Sequence, residues 1–327
     1  LANALTKLKQ IGTERVFIVG LGAQGKAWAQ NWRDSGLAPT ILLRPESINA
    51  KNKSCQECQQ LALPVISLSE FIPIPGDVIA LLTPDDSHAN ILGNFAKFTH
   101  VPLIFIYAHG FSVLKDQPQK QYPAWSHLLL APKAIAQEVR TAFQNKTSLA
   151  AVASLEFTLM DHGPELLAEL AQNLGINQGP FMASFKEETY ADLFSEQSLL
   201  CGLLPYAAKK SFEMMRQRGV CSEVAYLECW REVKLIADAM LKIGPKGFHE
   251  MISPNALIGG DKAQHLLFDK PFQQKLEQLA EDVWSGKFLE EIEELNTPNR
   301  RQKIAEYWGQ SELEKVWRQL EQATNKK

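Results

Sequence analysis

The stretch RVFIVGLGAQGKAWAQNWRDSG, residues 15–36, carries the clearest fold signal in the chain. An apolar run from Val16 to Val19 ends on Gly20, and Gly22 and Gly25 follow before a helix-forming segment. Strand, glycine turn and helix in that order make a dinucleotide-binding unit. Its first glycines permit a tight turn and close backbone approach, and the helix N-terminus faces a pyrophosphate. Gly20, Gly22, Gln24 and Gly25 are therefore candidate cofactor-binding residues. The next apolar run, TILLR, ends at Arg44. NAD-binding folds place an acidic residue near this point to hold the ribose, whereas an Arg accommodates the 2′-phosphate of NADP. Ser47 and Asn49 add hydrogen-bonding groups in RPESIN, while Glu46 opposes a phosphate. NADPH is favoured over NADH.

Further apolar strand candidates recur at 77–84, 102–110, 127–133 and 149–154. Helical segments such as SHANILGNFAKF (87–98) separate several of them, and GPELLAELAQNLG (163–175) follows the last. This alternation predicts an α/β, Rossmann-like, doubly wound parallel sheet. Ligands of such sheets collect at the carboxyl ends of the strands, where His109 and Lys133 stand. After about residue 182 the strand pattern stops and helices continue to the end, which predicts domains 1–182 and 183–327.

With 327 residues and 45% hydrophobic content, the chain is long enough for two globular domains. A net charge of −3 gives no reason to expect nucleic acid or an anionic membrane surface. No apolar run is long enough to span a bilayer, and LANALTKLKQ at the start lacks signal-peptide organisation. Five cysteines, an odd number, do not form a disulfide framework, so a reducing cytoplasm is the default compartment. Cys55 and Cys58 form a CxxC, but no second pair accompanies it.

The helical half holds the second informative stretch. Asp192 and Glu196 are four residues apart, as are Glu228 and Glu232, so each pair shares a helix face. Such pairs read most simply as solvated. The apolar neighbours Tyr226, Leu227, Trp230, Val233, Leu235 and Ile236 nevertheless leave little room for a polar face, which predicts buried carboxylates. Buried carboxylates must be paired, protonated or metal-bound. Four converging from two helices suit Mg²⁺ or Mn²⁺ rather than zinc.

FKEETYADLFSEQSLLCG (185–202) and AYLECWREVKLIADAM (225–240) resemble the metal-binding core of the ketol-acid reductoisomerase family. AHGF at 108–111, APK at 131–133 and MISPNALIGGD at 251–261 are similar to further family motifs. The resemblance implies Mg²⁺-dependent alkyl migration of 2-acetolactate or 2-aceto-2-hydroxybutyrate, then reduction by NADPH, in valine and isoleucine biosynthesis. It implies that Asp192, Glu196, Glu228 and Glu232 serve two Mg²⁺ ions, with Asp192 bridging. It places His109 beside the nicotinamide and the metals, has Lys133 organise the carboxylate and water network, and gives Glu232 a substrate hydroxyl or a proton. Ser253 would contact the substrate carboxylate and Cys201 the pocket. A knotted-type helical domain that pairs subunits, hence a homodimer or larger homo-oligomer, is also implied.

Departures mark a divergent member: Lys26-Ala27-Trp28 after the glycine loop, Ala134 to Ala136 after Lys133, residues 177–184, and Pro254 to Leu257. They leave open a related reductase of another 2-keto or 2-hydroxy acid. A non-catalytic nucleotide-binding paralogue is the remaining alternative.

Overall fold

The computed structural model describes Leu8 and residues 15–324. Apart from Leu8, the opening segment LANALTKLKQ lies outside the described residues. The chain divides into two compact units, Leu1–Thr189 and Tyr190–Lys327. The division falls inside a helix, beyond the 182/183 position expected above.

The first unit is built on β1 (Val16–Val19), β2 (Thr40–Leu43), β3 (Val65–Ser67), β4 (Val78–Leu81), β5 (Ile104–Tyr107), β6 (Ser126–Pro132), β7 (Ala150–Phe157) and β8 (Gln178–Met182). They form one sheet in the order β3-β2-β1-β4-β5-β6-β7-β8. Its main helices are α1 (Ala23–Asp34), α2 (Pro45–Asn49), α3 (Lys53–Gln60), α4 (His88–Phe95), α5 (Phe111–Asp116), α6 (Ala136–Asn145) and α7 (Gly163–Leu174), with shorter helical turns such as Pro118–Gln121 between them. Apolar cores lie on both faces of the sheet. One gathers Ile18, Trp28, Trp32 and Leu170, and the other Phe17, Phe95, Phe105 and Trp125. Burial on both faces explains why β1, β4 and β5 read as unbroken apolar runs.

Two details depart from the simple parallel sheet. Strand β7 runs antiparallel to β6, pairing Pro132 with Ala151. The Lys133 amide donates to the Ala150 carbonyl at 2.9 Å, so β7 starts where β6 ends and must run back. Strand β8 occupies QGPFM, within the divergent segment 177–184. Its residues are mostly exposed, so it carries no apolar signature of a strand.

A buried Asn31 fastens three helices of this unit. Its Nδ2 donates to Val139 O of α6 at 3.2 Å and to Leu174 O of α7 at 2.9 Å, while its Oδ1 accepts from Arg140 at 2.8 Å.

Helix α8 (Phe185–Ser195) leads into the second unit. That unit consists of α9 (Leu203–Gln217), α10 (Ser222–Tyr226), α11 (Glu232–Met251), α12 (Pro254–Leu267), α13 (Lys270–Trp284), α14 (Lys287–Leu295), α15 (Pro298–Gly309) and α16 (Glu312–Thr324). No strand follows residue 182 among the described residues. The unit's core joins Phe212, Ala225, Tyr226, Cys229, Leu313 and Val316. Helices α11 and α12 contribute no buried residue, although both are rich in apolar side chains. A left-handed Gly244 followed by Pro245 breaks α11. No helix among the described residues is long and apolar enough to cross a membrane.

Replacing Asn31 with Ala removes its two hydrogen bonds to the buried Val139 and Leu174 carbonyls and its bond to Arg140, which keeps its ion pair with Asp34. The expected loss is about 2–4 kcal/mol, the cost of buried groups left unsatisfied. Urea unfolding should show a lower midpoint with an unchanged slope.

Candidate active site

Glu188 is the centre of the first unit's polar cluster. It lies on α8, its side chain 1% exposed, packed among Phe185 and Thr189. Lys133 Nζ, directly after β6, donates to Glu188 Oε1 at 2.6 Å. His109 Nδ1, two residues after β5, is 3.4 Å from Glu188 Oε2. The Gly110 amide donates to the same oxygen at 3.3 Å. Burial works against ionisation of Glu188, but His109 and Lys133 outweigh it and hold the carboxyl below the usual range. The two expected strand-end residues therefore meet on one carboxylate.

Gly110 is required by distance. A Cβ there would lie 2.3 Å from Thr189 Oγ1 and 3.0 Å from the Phe185 carbonyl oxygen. Only a residue without Cβ lets α8 approach this loop closely enough for Glu188 to reach His109 and Lys133.

The glycine turn opens a cavity of about 590 Å³. Gly20, Gly22, Arg44, Ser47, Asn52, Ser54, Thr83 and Ser87 are among its lining residues. Gly20 has φ +84°, and a Cβ on Gly25 would lie 2.6 Å from the Gly20 carbonyl oxygen, so each glycine is sterically required. Gly22 caps the N-terminus of α1. Gln24 Nε2 reaches across to Ala134 O at 3.3 Å, beside Lys133. Asn49 does not line the cavity: it closes α2, and the chain then turns so that Asn52 and Ser54 do. Glu46 is likewise absent from the lining.

The expected metal carboxylates stand at irregularities. Helix α8 ends at Ser195, and residues 196–200, beginning with Glu196, widen into a π turn. The amides of Cys201 and Gly202 both donate to Glu196 O, at 2.8 and 3.0 Å. Glu228 sits inside a second π turn, Leu227–Arg231, and Glu232 follows it. Such turns re-aim side chains and are frequent at functional sites.

Burial corrects the sequence reading here. Asp192 is half-buried, but Glu196, Glu228 and Glu232 are exposed. Their apolar neighbours Leu227, Leu235 and Ile236 are exposed as well, because nothing in the second unit covers that face. The four carboxylates do not gather into one group among the described residues. Ser253 is an exposed N-cap of α12, its Oγ accepting from the Ala256 amide at 3.2 Å, and Cys201 is an exposed thiol. Cys55 and Cys58 are buried in α3, where burial first and then Cys55 and Glu57 push the Cys58 thiol up to about 11. Neither a redox pair nor a metal ligand suits so reluctant a thiol.

Sequence reading missed Glu188. Its signal was its spacing: it stands four residues before Asp192, extending the stripe that Asp192 and Glu196 form.

A dinucleotide turn together with a buried ionised cluster at the strand ends defines an NAD(P)-dependent oxidoreductase. The family model "Acetohydroxy acid isomeroreductase, NADPH-binding domain" matches residues 10–179, and "Ketol-acid reductoisomerase, C-terminal domain" matches residues 185–326. The chain belongs to the ketol-acid reductoisomerase family. It is similar to the structure of an NADH-preferring ketol-acid reductoisomerase from an uncultured archean, with 26% identity, 94% of each chain covered and a TM-score of 0.82. Fold alone is shared with a semialdehyde dehydrogenase NAD-binding protein from Cupriavidus necator, at 13% identity over 83% of this chain and 98% of that one, TM-score 0.58. The same holds for pyrroline carboxylate reductase from Plasmodium falciparum, at 13% identity over 82% and 97%, TM-score 0.53.

Gly110→Ala should displace α8 from the loop and lower kcat about tenfold or more, as overpacking and misplacement of reacting groups do. Cofactor affinity, measured by fluorescence titration, should stay near wild type.

Proposed function

We propose that this chain converts 2-acetolactate or 2-aceto-2-hydroxybutyrate to the 2,3-dihydroxy acid by Mg²⁺-dependent alkyl migration and NADPH reduction. The observation that carries the reading is Glu188 held between His109 and Lys133, with Asp192 one helical turn further along α8. Alkyl migration needs a proton removed from the tertiary hydroxyl while the adjacent carbonyl gains negative charge. Lys133 and His109 stand beside that carboxylate as groups able to donate or accept a proton at the substrate oxygens.

The donor set fits a hard cation. Asp192, Glu196, Glu228 and Glu232 offer carboxylate oxygens, the ligands that Mg²⁺ or Mn²⁺ prefers. These four would hold two ions, whose chemistry when bound is Lewis acidity at the hydroxyl and carbonyl oxygens. Exposure of three of the four in a single chain supports a site completed by a second copy. Leu241 is 86% exposed, and Leu235, Met240, Ile258 and Leu266 are exposed with it on α11 and α12. Apolar surface of that extent marks an interaction face, and a homodimer or larger homo-oligomer is the proposed assembly. Ser253, at the start of α12, and Cys201 would then meet substrate only in the assembled enzyme.

For the cofactor, Arg44, Ser47, Asn52 and Ser54 are among the cavity's lining residues and offer a cation and hydrogen-bonding groups to a 2′-phosphate. Gly20, Gly22 and the start of α1 suit the pyrophosphate. NADPH is accordingly proposed over NADH. All five cysteines carry free thiols, which supports a reducing, cytoplasmic setting.

A related substrate is the second reading, favoured by the departure at Ala134 to Ala136, where Ile135, two residues after Lys133, is 72% exposed. Turnover of 2-acetolactate with and without Mg²⁺, compared with 3-hydroxy-3-methyl-2-oxobutyrate, separates the two. Metal-dependent oxidation of NADPH on acetolactate supports the proposal. Turnover of neither compound overturns it.

Asp192→Asn and Glu228→Gln should each abolish isomerisation and leave NADPH binding intact. Arg44→Ala should lower the NADPH-to-NADH ratio of kcat/KM about tenfold to a hundredfold, the worth of a charge-assisted hydrogen bond at about 1.5–3 kcal/mol.

A further inference from the structure

We propose that His88 is a positioning residue that locks the cofactor-lining turn 83–87 to the loop carrying His109. His88 begins α4 and is buried, its side chain 5% exposed. Its Nε2 is 3.0 Å from the Thr83 carbonyl oxygen, and its Nδ1 is 2.7 Å from Ser112 Oγ. A carbonyl only accepts, so the proton is on Nε2, and Nδ1 accepts from the Ser112 hydroxyl. This is a neutral imidazole in one fixed tautomer. Burial first lowers its pKa, against the opposing pull of Asp85, the Thr83 carbonyl, Asp116 and Asp86, which favours the neutral form.

Each end of the bridge lands on a functional segment. Thr83 and Ser87 line the dinucleotide cavity. Thr83 also abuts the glycine turn so closely that a Cβ on Gly20 would lie 2.5 Å from Thr83 Cγ2. Ser87 Oγ donates to Thr83 Oγ1 at 2.8 Å, which stiffens the same turn. Ser112 lies three residues after His109, and its amide donates to Asp85 Oδ1 at 3.2 Å. Asp85 and His88 thus clasp Ser112 from one turn, by its amide and by its hydroxyl. The Tyr107 ring, at the end of β5, meets His88 edge-on at 5.8 Å and fills the remaining side. His88 thereby holds the cavity-lining turn in register with the backbone that presents His109.

This inference rests on the proposed role of His109, and the experiment separates the two. His88→Gln, His88→Leu, Ser112→Ala and His109→Asn are compared for cofactor KM, kcat and cofactor Kd by fluorescence, each in the full chain with Mg²⁺. Gln donates and accepts as this tautomer does, whereas Leu does neither. His88→Leu is expected to raise cofactor KM and lower kcat, each about tenfold, and His88→Gln to recover most of both losses. Ser112→Ala, which removes one hydroxyl and keeps the Asp85 contact, is expected to lower kcat severalfold with Kd unchanged. Equal impairment of His88→Gln and His88→Leu, or wild-type kcat in Ser112→Ala, overturns the proposal. Should His88→Leu fail to fold, the Gln and Ala variants decide alone. Full turnover by His109→Asn defeats the reading of the site, whatever the His88 variants do.

Discussion

A carboxylate taken out of water must be compensated, and in the first unit Glu188 is compensated from three directions. Lys133, His109 and the Gly110 amide come from two different strand ends, while the carboxylate comes from a helix more than fifty residues later in the chain. Removing a partner from such a buried pair costs far more than the pair is worth against an apolar substitute. Its persistence is better explained by what it positions. It fixes α8 against the carboxyl edge of the sheet, and every constraint around it serves that approach: the bare Cα of Gly110, the buried Phe185 and Thr189, and the reversal of β7 that brings Ala150 to the Lys133 amide.

The same edge carries the cofactor cavity, and the two are tied by polar bridges. Gln24 of the glycine turn reaches the Ala134 carbonyl beside Lys133, and His88 joins Thr83 to Ser112. Both bridges run between a segment that lines or shapes the dinucleotide site and a segment that holds an ionisable residue. Hydrogen bonds between these loops hold their relative positions, and positioning of this kind is what a two-component reaction site requires.

The helical unit follows a different logic. Its compact core around Phe212, Tyr226 and Val316 is small, while α11 and α12 hold apolar side chains outward. Helices so apolar and so exposed are stable where a further surface covers them. The two π turns that carry Glu196 and Glu228 fit this picture: each interrupts regular hydrogen bonding at the point where a carboxylate is presented.

The architecture was legible in the amino-acid order alone. The order strand, GLGAQG, helix, the repeated apolar runs and the later loss of strand pattern were enough, because burial on both faces of a parallel sheet imposes an apolar run that composition displays directly. It also named His109 and Lys133, since the carboxyl ends of strands are fixed once the strands are. The direction of β7 and the existence of β8 were not legible, because hydrogen-bond pairing rather than local pattern sets them. Nor were Glu188 and His88. Each is one of many acidic or imidazole side chains until tertiary contacts bury it and supply its partners. The exposure of Glu228 and Glu232 was misread for the converse reason: apolar neighbours announce that a face will be covered, but only the packed chain shows that its own helices do not cover it.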